Sequence, residues 1–199
     1  MKVIAFINRK GGVGKTSTAI GVADGLVRQG ATVAVIDTDP NASAARWLET
    51  VAELDVTACE PGKLAQILKG VGGAYDAVII DTPPNDEAAM TAAAAVADLA
   101  VIPMAPTGVE MDQLPETAAL LEAAGVAWTV TPVRVRMGTN SGKDAESMLT
   151  RHGIPSTSAV VVMTEAVAQA MGRRPPPMAF AALTTEIAEL AEINLEGES

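Results

Sequence analysis

Residues 7–18 read INRKGGVGKTST and follow a short apolar run, KVIAF. Gly11, Gly12 and Gly14 lack a Cβ, so the backbone there can wrap closely around an anion. A glycine loop between a strand and a helix also aims backbone N–H groups and the helix N-terminus at one point. In that setting Lys15 supplies a mobile positive charge for the outer phosphates of a nucleotide, and the Thr16 hydroxyl supplies a ligand for Mg²⁺. Val13 and Ser17 complete the loop and the first helical turn. The ordinary phosphate-loop motif, G-x-x-x-x-G-K-[ST], would require glycine at position 9, where this chain has Arg9. The departing feature is a second lysine, Lys10, on the other side of the glycines.

Three aspartates stand where apolar runs end. VAVIDTDP places Asp37 and Asp39 after one run, and DAVIIDTPP places Asp81 after another. Open α/β sheets bind ligands at the carboxyl ends of their strands. A carboxylate in that position suits a Mg²⁺ ion held through water. For Asp37 and Asp39 the alternative is an Asx-turn, or a cap for a helix starting near Ala42.

The elements that must carry these residues follow from periodicity. KVIAFIN, TVAVID, DAVIID, LAVIPM and WTVTPVRV are apolar runs without alternation, as expected of strands buried on both faces. Helical patterns lie between them at 17–29, 110–124 and 178–193, and Gly30 and Gly125 stand as stops for the first two. Strands alternating with helices predict right-handed crossovers and a doubly wound, mostly parallel α/β sheet with helices on both faces. The whole chain, residues 1–199, reads as one such domain.

Composition narrows the function. The chain is 49% hydrophobic but 3% aromatic, so small aliphatic side chains must fill the core. A single cysteine, Cys59, excludes an internal disulfide and a multi-cysteine metal site and fits a reduced, cytoplasmic setting. No secretory signal is visible. Residues 88–105 are the most membrane-like stretch, but Asp98 and Pro103 interrupt it, and it reads as a helix followed by a buried strand. Net charge is −10, which disfavours nucleic acid. The charge is uneven, however. Residues 130–174 hold six basic side chains (Arg134, Arg136, Lys143, Arg151, Arg173 and Arg174) against three acidic ones. Of these, Lys143, Arg151, Arg173 and Arg174 are the candidates for DNA phosphates.

KGGVGKTST, DTDPNAS and IIDTPP together resemble the deviant Walker A ATPases of the ParA/MinD group. The chain is most similar to short, ParF-like partition ATPases without an N-terminal DNA-reading domain. The resemblance implies a P-loop NTPase fold, ATP and Mg²⁺ as cofactors, and an ATP-bound homodimer. It implies that Lys15 serves its own nucleotide while Lys10 reaches the partner subunit's phosphates, in the manner of an arginine finger. It further implies that Asp39 positions the attacking water, that Thr16 binds Mg²⁺ directly with Asp37 and Asp81 in support, and that Arg134 lies near the base. Expected partners are non-specific DNA and a ParB-like centromere-binding protein or a cargo adaptor, at the nucleoid.

Two branches of that group fit poorly. Membrane-binding members end in a basic amphipathic helix, whereas this chain carries five acids and no base from residue 185 onward. Iron-carrying members need cysteine pairs. Two alternatives to plasmid or chromosome partition stay open. One is the same switch positioning a protein cargo, such as a chemoreceptor cluster or a carboxysome. The other is an ATP-dependent metabolic synthetase on the same scaffold. Pro83 and Pro84 in DTPP are expected to stiffen the segment that senses the outer phosphate.

Overall fold

The computed structural model describes residues 1–49, 54–71, 73–105, 107–135 and 147–195. Seven strands form one sheet: β1 (Lys2–Phe6), β2 (Val33–Asp37), β3 (Asp55–Ala58), β4 (Ala77–Asp81), β5 (Leu99–Met104), β6 (Ala127–Val135) and β7 (Val161–Val162). Their spatial order is β3-β2-β4-β1-β5-β6-β7. Every paired neighbour is parallel, so the expected sheet is present and wholly parallel. The order reverses around β1, which puts the loop after β1 at a switch point of the sheet, where open α/β folds form their crevice.

The main helices are α1 (Lys15–Arg28), α2 (Ser43–Leu48), α3 (Leu64–Val71), α4 (Glu87–Ala94) and α5 (Gly108–Ala124), with a short helix at Glu165–Ala168 and a C-terminal helix at Pro177–Leu190. Residues 147–151 are also helical. Residues 88–105 form α4 and the buried strand β5, as the sequence predicts. Among the described residues no helix is long and apolar enough to cross a membrane.

The continuous apolar strands have helices on both sides. Ile4, Phe6, Val33, Val35, Ile79 and Val101 face α1, α2 and the C-terminal helix. Val3, Ala5, Ala34, Ile36, Ile80 and Ile102 face α3, α4 and α5. Period two is therefore present in the packing although hidden in the sequence, because both faces are apolar. On the first side α1 meets the C-terminal helix at very short range. A Cβ on Gly21 would strike the Phe180 ring, and one on Gly25 would strike the Thr184 side chain. Two glycines one turn apart let these helices touch backbone to side chain, which fixes the direction of α1 and so of the loop before it.

Candidate functional site

The glycine loop runs from the end of β1 to the start of α1. Gly12 has φ 72° and Gly14 φ 100°, both left-handed, where a side chain would add strain. Gly14 is the residue preceding α1 and has no side chain with which to cap that helix. The first N–H groups of α1 are thus left for an incoming anion. Asn8 braces the other end of the loop. It is buried, its amide donates to the Pro103 carbonyl at 2.8 Å, and its side-chain oxygen accepts the Lys10 N–H at 2.9 Å.

Two adjoining hollows open on this loop. One, of about 320 Å³, is lined by Gly11, Gly12, Gly14, Lys15, Thr16, Ser17, Asp39, Thr82 and Pro84. The other, of about 360 Å³, is more apolar and shares Gly12, Gly14 and Ser17 with the first. Val133, Arg134, Val161, Met163 and Phe180 line its far side. A charged lobe joined to an apolar lobe matches the phosphate and base ends of a nucleotide.

Lys15 is 6% exposed, and its ammonium donates to the Lys10 carbonyl at 2.8 Å. Burial lowers its pKa, against the pull of Asp81 and Asp39, which favour the charged form. Lys10 lies elsewhere. Its ammonium is 3.2 Å from Glu110, a 7% exposed carboxylate in the first turn of α5, and it does not line either hollow. The two lysines therefore have different surroundings within one subunit.

Asp37 and Asp81 sit side by side, paired in register at the ends of β2 and β4, and both are 0% exposed. Their situations differ. Asp37 accepts N–H bonds from Asp39 at 2.9 Å, Ala44 at 2.8 Å and Ala45 at 3.0 Å. It holds the start of α2, so the capping alternative describes what this carboxylate does here, with roughly three of its four acceptor positions occupied. Neither oxygen of Asp81 has a hydrogen-bond partner of good geometry among the described residues. Burial pushes its pKa up to about 7, the Asp37 carboxylate adds to the shift, and Thr16 and Lys15 oppose it. A buried carboxylate with both oxygens orphaned, next to the Thr16 hydroxyl, fits a hydrated Mg²⁺ ion. Among the described residues no group of three or more His, Cys, Asp or Glu could hold a metal unaided.

Asp39 is half-buried at the rim of the charged hollow. Its Oδ1 accepts the Asn41 N–H at 2.8 Å, an Asx-turn, so the turn reading applies as well. Pro84 lies against Gly11, where an added Cβ would come within 3.4 Å of its ring. Arg134 breaks the register of β6 with β7 and has φ 57°. That left-handed bulge turns its guanidinium back to the loop, where it donates to the Gly12 carbonyl at 2.7 Å.

The basic block does not come together. Arg136 and Lys143 lie outside the described residues. Arg151 follows Leu149, which packs with α5 on one face of the sheet. The Arg173 carbonyl accepts the Trp47 indole N–H at 2.7 Å, and Trp47 belongs to the opposite face. Arg174 donates to Asp24 at 2.6 Å, and Asp24, 2% exposed, also takes Arg28 at 2.7 Å. Asn8 and Glu110 are site-shaping residues that motif reading passed over. Motif reading assigned neither of them a role, and only the strand-end position of Asn8 could have drawn attention to it.

Comparison with known proteins agrees with this geometry. The chain is 35% identical over 167 residues to the maintenance of carboxysome distribution protein A of Gloeobacter kilaueensis, covering 80% of this chain and 76% of that one. It is 31% identical over 135 residues to the chromosome-partitioning ATPase Soj of Thermus thermophilus, covering 51% and 53%. A solved structure of cobyrinic acid a,c-diamide synthase from Mycobacterium smegmatis, with an ATP analogue and magnesium, superposes with a TM-score of 0.78 over 95% of each chain at 15% identity, a likeness of fold alone. With residues 4–177 matched by its domain model, the chain belongs to the CobQ/CobB/MinD/ParA nucleotide-binding domain family.

Proposed function

We propose that this protein is an ATP-operated dimer switch that positions a cargo, and that it hydrolyses ATP to ADP and phosphate when a partner protein stimulates it. The observation that carries this reading is the placement of the two lysines. Lys15 faces the charged hollow, whereas Lys10 is directed away from it, to Glu110. A second lysine that does not serve its own nucleotide is suited to serve that of another subunit. The fold does not discriminate between a switch and a synthetase, since it resembles both; the second lysine favours the switch.

In the proposed cycle the loop N–H groups and Lys15 bind the phosphates. Thr16 and Asp81 would hold a Mg²⁺ ion, Asp81 through water, and the ion would supply positive charge to offset that of the phosphates. Asp39 orients a water whose oxygen attacks the γ-phosphorus as the bond to the ADP oxygen breaks. Lys10 of the partner subunit steadies the charge that develops there. Arg134 holds the loop and closes the base lobe.

ATP-driven pairing doubles whatever surface each subunit offers to DNA, which lets weak contacts become useful. Arg173 and Arg151 are exposed but belong to opposite sides of the sheet, so they are separate candidates for that surface, and Arg173 is the one tested below. The relative named for carboxysome distribution matches more of this chain than the chromosome-partitioning one does, which favours a protein assembly as cargo, reached through an adaptor. A plasmid or chromosome region reached through a ParB-like protein is the second reading. The deciding experiment is a DNA shift and a light-scattering mass measurement with ATP, ADP and no nucleotide. ATP-dependent dimers that bind DNA in a salt-sensitive way support the switch. A monomer in every nucleotide state overturns it.

A further inference from the structure

We infer that Glu110 is a positioning residue for Lys10, holding it within its own subunit until a neighbouring subunit presents a stronger anion. This rests on the reading of Lys10 as a lysine that acts across a dimer. Glu110 is built into place. It sits in the first turn of α5, and its Oε2 accepts the Ala105 N–H at 2.8 Å. Its Oε1 is left for the Lys10 ammonium, 3.2 Å away. The neighbouring cation does not compete. Arg9 has acids of its own, Glu87 at 3.3 Å and Glu116 at 3.0 Å.

The pair is asymmetric in burial. The Glu110 side chain is 6% exposed and that of Lys10 35% exposed, so the lysine can swing out while the carboxylate cannot follow. Leaving a buried carboxylate without its cation is unfavourable. Lys10 will therefore leave only for a site of higher negative charge density. A triphosphate qualifies better than a diphosphate, so the pair sets a threshold that distinguishes ATP from ADP at the moment of pairing. Val109, adjacent to Glu110, is 63% exposed, an apolar residue at the same corner left uncovered by this subunit.

Glu110→Gln tests the inference, because the amide oxygen can still accept from Ala105 while the charge facing Lys10 is removed. Lys10 reactivity toward an amine-labelling reagent is read by peptide mass spectrometry in nucleotide-free protein. Dimerisation is read by light scattering with a non-hydrolysable ATP analogue and with ADP. In Glu110→Gln, Lys10 is expected to label faster, the dimer to tighten by at least about 5-fold with the analogue, and dimers to form with ADP. Glu110→Asp keeps the charge but shortens the arm, and shifts both readouts the same way by less, which keeps the test available if the glutamine variant does not fold. Unchanged labelling and dimerisation in the variants, with Lys10→Ala unable to dimerise, would overturn the inference and leave the trans-lysine reading standing. Lys10→Ala dimerising like wild type would overturn both.

Discussion

The Lys15 ammonium donates to the backbone carbonyl of Lys10 across 2.8 Å, so the two lysines of the loop are joined through the loop itself. The bond occupies one of three Lys15 protons and keeps the buried ammonium solvated by protein while no phosphate is bound. The two remaining protons are left for phosphate oxygens, so Lys15 can serve a nucleotide while still bonded to the loop that carries Lys10.

Lys15→Ala is expected to weaken ATP binding by roughly 10- to 100-fold, as expected on removing a charge-assisted hydrogen bond from a buried site. Lys10→Ala should leave binding within about 3-fold of wild type, a change of well under 1 kcal/mol, because Lys10 lines neither hollow. Calorimetric titration with ATP and Mg²⁺ checks both. Equal losses in the two variants would mean that both lysines serve the same nucleotide.

Asp39→Ala should bind ATP but hydrolyse it about 100-fold more slowly or worse, as expected when the group that orients the water is removed. Since Asp39 also makes the turn to Asn41, Asp39→Asn separates the two roles. It keeps the turn and loses the charge, and should be as slow as the alanine variant. Phosphate release under single-turnover conditions gives the rate; a normal rate in Asp39→Asn assigns the water to another group.

Asp81 makes stability depend on pH. Its folded pKa of about 7 lies above the ordinary 3.8, so between these values the folded chain keeps a proton that the unfolded chain has given up. Stability is then highest below pH 4 on this account and falls as pH rises through 7, at up to roughly 1.4 kcal/mol per pH unit. Asp81→Asn should flatten that fall in thermal melts of the nucleotide-free protein from pH 5 to 8. An unchanged slope would show that Asp81 is already ionised and stabilised.

Arg173 and Arg174 are adjacent in sequence and should behave differently. Arg174→Ala removes a bond to the buried Asp24 and should lower stability by about 1–3 kcal/mol. Arg173→Ala should leave the melting temperature unchanged and weaken ATP-dependent DNA binding, lowering the salt slope by about 0.9 for each phosphate that the arginine neutralises. Equal effects of the two on the melt would contradict the division.

Gly25→Ala should destabilise by about 1–3 kcal/mol, because the new methyl would strike Thr184 and force α1 away from the C-terminal helix. A chemical denaturation curve with unchanged midpoint would show that the helices can part without cost.

Much of the site was legible in the sequence because its chemistry is local. A phosphate loop needs its glycines, lysine and hydroxyl within a few residues, and strand-end carboxylates announce themselves after apolar runs. The five long strands were visible too, four of them because they are nearly all aliphatic and β6 because its valines and threonines form a β-branched run. β3 was not, because it is an edge strand whose residues are mostly exposed, so burial imposes no pattern on it. β7 has two residues and exists only by pairing with β6.

Tertiary structure decided which of several chemically able groups does what. Asp37 and Asp81 end similar strands, yet one carboxylate is used by the N–H groups opening α2, and the other has no hydrogen-bond partner of good geometry among the described residues. Six basic residues form one block along the chain, but a sheet runs between Arg151 and Arg173, and Asp24, 150 positions before Arg174, takes that arginine. The assignment of Lys10 to Glu110 likewise spans the turn from β5 into α5. Sequence spacing sets which groups are available nearby along the chain. Which charge meets which across the fold depends on burial, where an unpaired ion is expensive and the nearest partner in space is favoured over the nearest in sequence.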